Sequence, residues 1–127
     1  MAKLLSKFVC LSHCGVGFVW FGLFFLPTAW WPDRISFHFF FSATIIGHQF
    51  LWGAFIKLRT GKFHPTCLLT TVTQKLRGWA VSTPQNYNYS FTQEIFERVG
   101  IPMPQRAVRL LASGILTVVT VQYFFFR

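Results

Sequence analysis

The chain has 127 residues, of which 53% are hydrophobic and 20% are aromatic, and phenylalanine alone occurs 17 times. A soluble domain of this size would expose much of that apolar surface to water, so the composition argues against a soluble globular protein. Twelve basic and three acidic residues give a formal net charge of +9. Because the basic residues flank apolar segments instead of forming one patch, we expect anionic lipid head groups as partners and no nucleic acid.

Three apolar stretches, at about 8–26, 36–56 and 108–126, are each long enough to cross a membrane. At ~1.5 Å per residue they reach across most or all of a hydrocarbon core of ~30 Å. The sequence therefore predicts one all-α membrane unit with three transmembrane helices and no second domain. The second and third helices are joined by an amphipathic inside loop at 57–106.

The first apolar run follows two lysines, as the apolar core of a secretory signal peptide also does. The length of the run and the poor cleavage site at Pro27-Thr28-Ala29 favour an uncleaved membrane anchor. Pro27 and Pro32 bracket the first connection and limit where one helix ends and the next begins. The first two spans are therefore predicted to form an antiparallel hairpin.

Basic residues are divided unevenly between the two faces that three spans would create. One face would carry the first lysines and the inside loop, and the other only Arg127 and the short connection with Asp33 and Arg34. The positive-inside rule then places the N-terminus inside, which is the matrix side in a mitochondrion. The residues expected to bind anionic phospholipid such as cardiolipin lie on this inside face: Lys57, Arg59, Lys62, Lys75, Arg77, Arg106 and Arg109.

Two short helices are predicted within the inside loop. Apolar residues recur at helical spacing in its first part: Leu68, Leu69, Val72, Leu76 and Trp79. This pattern predicts an amphipathic helix that lies on the membrane or on a neighbouring subunit. A capping box formed by Ser90 and Gln93 opens the second helix, and Gly100 is expected to end it.

His48 and His13 are the candidate cofactor-binding residues, because an ionisable ring inside an apolar span needs a partner. In an antiparallel hairpin the two rings would differ in depth by only ~4 Å. Two facing imidazoles can hold a b-type haem. The alternative, which we favour, is that His48 hydrogen-bonds to a carbonyl or hydroxyl group of a neighbouring helix. His38 and His64 are expected to be ordinary residues of the membrane interface.

Cys10, His13 and Cys14 form a local cluster that resembles a metal or haem site. Their order, Cys-x-x-His-Cys, differs from the Cys-x-x-Cys-His of covalent haem attachment, and zinc would need a fourth ligand at the same depth. We therefore expect no metal site. No catalytic motif occurs in the chain and no carboxylates are paired within a span, so we expect no enzyme activity.

Small residues occur in each predicted span and favour close approach of helix backbones. They are Gly15, Gly17, Gly22, Ala43, Gly47, Ser113, Gly114 and Thr117. The phenylalanine-rich surface elsewhere is expected to face lipid or neighbouring subunits.

In size, charge and pattern the chain resembles the accessory subunits of respiratory complexes and ATP synthases, which are often short, basic, helical and made without a cleaved presequence. The resemblance implies a non-catalytic subunit of an energy-transducing complex in the mitochondrial inner membrane, with other membrane subunits as partners and no cofactor. The three spans and His48 also resemble the haem-binding membrane anchors of succinate dehydrogenase, which implies association with haem or quinone. Gly47-His48-Gln49 departs from the Arg-His pair of that family. A lipid or assembly factor of the endoplasmic reticulum is a third alternative.

Overall fold

A computed structural model of the chain describes residues 2–79 and 91–126. These described residues form five helices and no strand. The helices are α1 (Ala2–Gly22), α2 (Arg34–Thr60), α3 (Leu68–Leu76), α4 (Phe91–Arg98) and α5 (Gln105–Phe125). Three of them are long and apolar enough to cross a membrane, at Leu4–Gly22, Arg34–Thr60 and Gln105–Phe125. The all-α class and the three membrane-spanning helices predicted from the sequence are confirmed.

The ends of the helices differ from the ends of the apolar runs. α1 ends at Gly22, although the apolar run continues to Leu26. Residues 23–26 instead form hydrogen-bonded turns, in which the Phe25 N–H donates to the Gly22 carbonyl at 3.0 Å. Pro27 also disfavours a helical backbone in the residue before it. Apolar composition alone therefore overestimates the length of the first helix, because an apolar turn and an apolar helix have the same composition.

α1 and α2 form the predicted antiparallel hairpin. The indole N–H of Trp20 donates to the Ser42 hydroxyl at 2.7 Å, and the guanidinium of Arg34 donates to the Leu23 carbonyl at 2.7 Å. Both bonds lie at the end of the hairpin where the two helices are connected. The hairpin is thus closed by polar contacts rather than by apolar packing alone.

α5 packs along α2. Near the C-terminal end of α5, the ring of Tyr123 stacks on Phe39 with centroids 4.2 Å apart, and Phe39 lies near the N-terminal end of α2. The two helices are therefore antiparallel. Ile115 and Val119 are the buried residues of α5 among those described, at 7% and 0% exposure.

After α2 the chain turns back along the same helix. Gly61 ends α2 in the left-handed conformation, with φ +75°, which a side chain would strain. The following residues, 62–67, have no regular secondary structure and run beside α2. A Cβ atom at Gly53 would lie only 2.6 Å from the carbonyl oxygen of His64, so the two backbones are in direct contact.

α3 begins deep along α2 and runs back toward the Thr60 end. Its first backbone N–H bonds to the ring of His48, which lies twelve residues before Thr60, or ~18 Å along the helix axis. Near the other end of α3, Lys75 lines a groove together with Thr60. Residues 61–76 therefore form a re-entrant hairpin, with an extended segment that enters the bundle and a helix that leaves it.

α3 presents its polar face to the other helices. It packs extensively on α1 and also contacts α2, and its buried residues are Thr70, Thr71, Thr73 and Gln74. Leu68, on the predicted apolar stripe, is 38% exposed. The predicted helix is confirmed, but its expected position on the membrane surface or on another subunit is not, because α3 packs on its own chain. In lipid the interior of the bundle is the place where polar groups find partners, so the usual direction of an amphipathic helix is reversed.

α4 ends where the sequence predicted. Gly100 has a φ of +80°, and the Ile101 N–H donates back to the Phe96 carbonyl at 2.9 Å. This is the hydrogen-bonded, left-handed end that glycine favours. Ser90, the first residue of the predicted capping box, lies outside the described residues.

Candidate functional site

His48 anchors the start of α3. Its Nε2 atom accepts a hydrogen bond from the backbone N–H of Leu68 at 3.1 Å. The first N–H groups of a helix have no acceptor within the helix, and the N-cap residue Cys67 makes no side-chain capping bond. His48 therefore supplies a missing acceptor from α2. The expected bond to a carbonyl or hydroxyl is wrong, because the backbone that reaches this ring is a helix N-terminus and offers donors.

Replacing His48 with alanine is expected to destabilise the fold by about 1 kcal/mol, the usual cost of losing a helix cap. His48→Gln should keep part of that stability, since its side-chain oxygen can also accept a hydrogen bond. The measurement is the free energy of unfolding in mixed micelles. Equal loss in both variants would show that the ring contributes by packing and not by capping.

The structure brings the two candidate cofactor residues near each other. His13 on α1 lies within electrostatic reach of His48 on α2, as the hairpin geometry predicted. The Nε2 of His48 already accepts the Leu68 N–H, which leaves only the Nδ1 atom of that ring for a ligand while this bond is intact. Among the described residues there is no group of three or more histidine, cysteine or acidic side chains that could hold a metal ion.

Sequence reasoning missed a buried polar cluster at the other end of the α1–α2 hairpin. His38 is 1% exposed and Ser42 0%, and the ring of His38 packs edge-on against Phe24 with centroids 4.5 Å apart. His38, expected to be an ordinary residue of the membrane interface, is thus buried within the hairpin. The spacing of these residues could have indicated the cluster, since Arg34, His38 and Ser42 recur every four residues and so share one face of α2.

Arg34 closes the end of α1. The residue is only 8% exposed, and its guanidinium donates to the Leu23 carbonyl at 2.7 Å. Carbonyl groups at the end of a helix lack intrahelical donors, and a cation there also interacts favourably with the helix dipole. A charged residue that the sequence assigns to a loop is thus part of the hairpin core.

Glu94 joins α3 to α4. Its two carboxylate oxygens accept hydrogen bonds from both terminal nitrogens of Arg77, at 2.8 and 3.1 Å, and Arg98 bonds to the same carboxylate. Burial disfavours the charged carboxylate, but the hydrogen bonds and charges of Arg77 and Arg98 outweigh it and hold the pKa of Glu94 below its ordinary value. Arg77, predicted to meet lipid, is placed in this ion pair.

Two of the predicted lipid-binding cations converge. Arg59 and Lys75 both line a groove of about 500 Å³ between α2 and α3. The groove continues past them along the apolar surface of Trp52 and Val72. The other predicted cations outside the ion pair are exposed and do not line the groove: Lys57, Lys62, Arg106 and Arg109.

A larger cavity of about 720 Å³ separates α1 from α5. Its size lies within the ~300–1,000 Å³ typical of pockets for small molecules. Most of its lining is apolar, and α4 contributes Ile95 and Phe96 to one end. Its polar lining residues are His13, Cys14, Gln49 and Thr92.

Most glycines of the spans make no contact within the chain. A Cβ atom would meet nothing within 4 Å at any of five span positions: Gly15, Gly17, Gly22, Gly47 and Gly114. The predicted close approach of helix backbones therefore does not occur within this chain at these five positions. Among the described span glycines, Gly53 is in close backbone contact, with His64 of the extended segment.

Comparison of the chain with protein-family models, with curated proteins and with solved structures gives no match. The function proposed below therefore rests on the residues of this chain.

Proposed function

We propose that this chain is a non-catalytic structural subunit of a larger membrane complex, of the energy-transducing kind found in the mitochondrial inner membrane. The observation that carries the proposal is the open space beside Gly22, Gly47 and Gly114, one on each span. Membrane helices associate through small residues because close backbone approach provides packing that lipid tails do not. Since these glycines have no neighbour in their own chain, the neighbour is proposed to be another membrane subunit.

The surface of α1 supports the same proposal. No residue in the most apolar part of this helix is buried, and two of its large side chains, Leu11 and Phe18, are 70% and 81% exposed. A helix with so little cover from its own chain suits a position between subunits. Lipid fills the remainder of such a surface.

The mitochondrial setting and the orientation rest on charge. The ends of α1, α2 and α5 that carry most of the basic residues are proposed to face the matrix, following the positive-inside rule. Anionic phospholipid of that leaflet would be the second class of partner.

Assembly is tested by placing a bulky residue in one open glycine position. Gly47→Leu is expected to leave the fold of the chain intact, because nothing lies within 4 Å of the new Cβ, and to reduce several-fold the fraction that migrates with partner subunits in native gels of solubilised membranes. Val118→Leu is the matched control, since Val118 is already a branched residue at 48% exposure. Migration of the unaltered chain as a folded monomer with no partner would contradict the proposal.

The cavity between α1 and α5 favours a second candidate function, a membrane anchor associated with quinone or haem. The lining of the cavity is mostly apolar with a few polar groups, which suits a quinone. Haem is less well suited, because the Nε2 atom of His48 already accepts a hydrogen bond. Quinone retained by the purified chain, or a b-type absorption band lost on His13→Ala, would favour this reading over a purely structural subunit.

A further inference from the structure

The groove between α2 and α3 has a polar end and an apolar end. Arg59 and Lys75 lie at the end nearest the C-terminus of α2, and the residues that line the remainder include Trp52, Leu68 and Val72. Trp52 precedes Thr60 by eight residues, so the groove runs for ~12 Å along the helix. Its length is close to one leaflet of a hydrocarbon core that is ~30 Å thick.

Within the described part of the chain, the two cations of the groove face no carboxylate. None of the residues that line it is acidic, and the ion pairs found among the described residues join Glu94 to Arg77 and Arg98. The guanidinium of Arg59 lies over the ring of Phe55, 5.5 Å from its centroid. This contact holds Arg59 at the groove while leaving its N–H donors available.

The geometry of the re-entrant hairpin limits what can occupy the groove. A transmembrane helix of a partner would need a path across the whole membrane, whereas this groove ends where α3 begins, beside His48. A free phosphate would match the cations but leave the apolar wall uncovered. A molecule with an anionic head and a hydrocarbon tail about one leaflet long matches both ends.

We propose that this groove binds one anionic phospholipid, with its phosphate on Arg59 and Lys75 and one acyl chain along Trp52, Leu68 and Val72. Basic residues near the membrane surface attract anionic lipid in general. Here the re-entrant hairpin adds a defined site, because α3 carries Lys75 to within reach of the same head group as Arg59. The site is contained within one chain, so it does not depend on assembly with other subunits.

The full-length chain, reconstituted in lipid vesicles, is photolabelled with phosphatidylglycerol that carries a diazirine on its acyl chain. Labelling is expected on peptides that contain Trp52 or Val72, and excess unlabelled phosphatidylglycerol should reduce it while phosphatidylcholine does not. The double variant Arg59→Gln with Lys75→Gln should lower the labelling at least fivefold. Lys57→Gln with Lys62→Gln removes the same charge at the same membrane face but outside the groove, and should change it less than twofold.

A further variant tests the site without removing charge. Val72→Trp fills the groove and is expected to abolish labelling of the Trp52 peptide, with helix content measured by circular dichroism to show that the chain is folded. Equal loss in the two charge variants would mean that only the general surface potential attracts lipid, and would overturn the proposal. Equal competition by phosphatidylcholine or by inorganic phosphate would overturn it as well.

Discussion

Gly53→Ala is expected to detach the re-entrant hairpin and to destabilise the fold by ~1–3 kcal/mol, the usual cost of overpacking. The added Cβ would lie 2.6 Å from the carbonyl oxygen of His64 and 2.9 Å from its carbonyl carbon. Both are backbone atoms, which cannot rotate away as the end of a flexible side chain can. The extended segment must therefore move away from α2, and α3 with it.

Reactivity of Cys67 reports this movement, with Cys10 and Cys14 replaced by serine. Burial raises the pKa of the Cys67 thiol. Fewer thiolates are then present near neutral pH, and alkylation is slow. Release of the hairpin should lower the pKa toward its ordinary value, expose the sulfur and speed alkylation several-fold.

Gly47→Ala is the matched control on the same helix. Nothing lies within 4 Å of a Cβ at Gly47, and alanine favours helix over glycine by about 1 kcal/mol. This substitution should therefore leave the alkylation rate unchanged and stabilise the fold slightly. Similar behaviour of the two variants would show that the contact between Gly53 and His64 does not hold the hairpin.

The sequence was sufficient to predict the three spans and the first hairpin, because both follow from local properties. Apolar length determines which helices can cross a membrane, and Pro27 and Pro32 leave too short a connection for anything but an antiparallel pair. The electrostatic proximity of His13 and His48 is consistent with the same geometry. The predicted end of α4 was correct because glycine is itself a local sequence signal for the left-handed end of a helix.

The re-entrant hairpin could not be predicted, because its position depends on long-range contacts. The apolar stripe of Leu68 and Val72 has the same period in either position of the helix. The helix can lie on the membrane surface with this stripe pointing into the membrane, or pack in the bundle with the stripe pointing outward to lipid. The direction of α3 is decided by Thr71, whose hydroxyl accepts a hydrogen bond from the Trp52 indole at 3.0 Å, and by the cap from His48. Neither contact has a sequence signature, since the partners are about twenty residues apart.

The position of Arg34 in the α1–α2 hairpin shows the same limitation. A charged residue in a connecting loop normally indicates a solvated position, yet Arg34 is buried against the end of α1. What decides its position is the need of the Leu23 carbonyl for a donor, which is a property of the folded hairpin. In lipid, the need of backbone groups for hydrogen-bond partners constrains the position of such a residue more strongly than composition does.

Glu94→Gln is expected to have the second large effect, a loss of about 2–3 kcal/mol. Breaking a buried ion pair by removing one partner costs ~3–5 kcal/mol, and partial exposure of the cations reduces this, since the side chains of Arg77 and Arg98 are 26% and 62% exposed. The variant leaves two guanidinium groups without their shared carboxylate. Removing a cation as well, in Arg77→Gln with Glu94→Gln, should recover part of the loss.

Asp33→Asn is the control for Glu94→Gln. It removes the same charge from a carboxylate that is exposed and makes no side-chain capping bond, so it should change the free energy of unfolding by less than about 1 kcal/mol. A loss as large as that of Glu94→Gln would mean that net charge, and not the link between α3 and α4, is responsible.

Acid should reproduce the effect of Glu94→Gln in the unaltered protein. The pKa of Glu94 is lower in the folded chain than in the unfolded one, so folding favours the ionised carboxylate. The unfolded state therefore binds the proton more readily, and the contribution of the ion pair is fully present above the ordinary glutamate pKa of about 4.3. It is lost as the pH falls through the lower pKa of the folded state, where protonation removes the charge that holds Arg77. The free energy of unfolding of the native chain is thus expected to fall below about pH 4.3 more steeply than that of Glu94→Gln. Parallel pH profiles of the two proteins would show that another group carries the acid sensitivity.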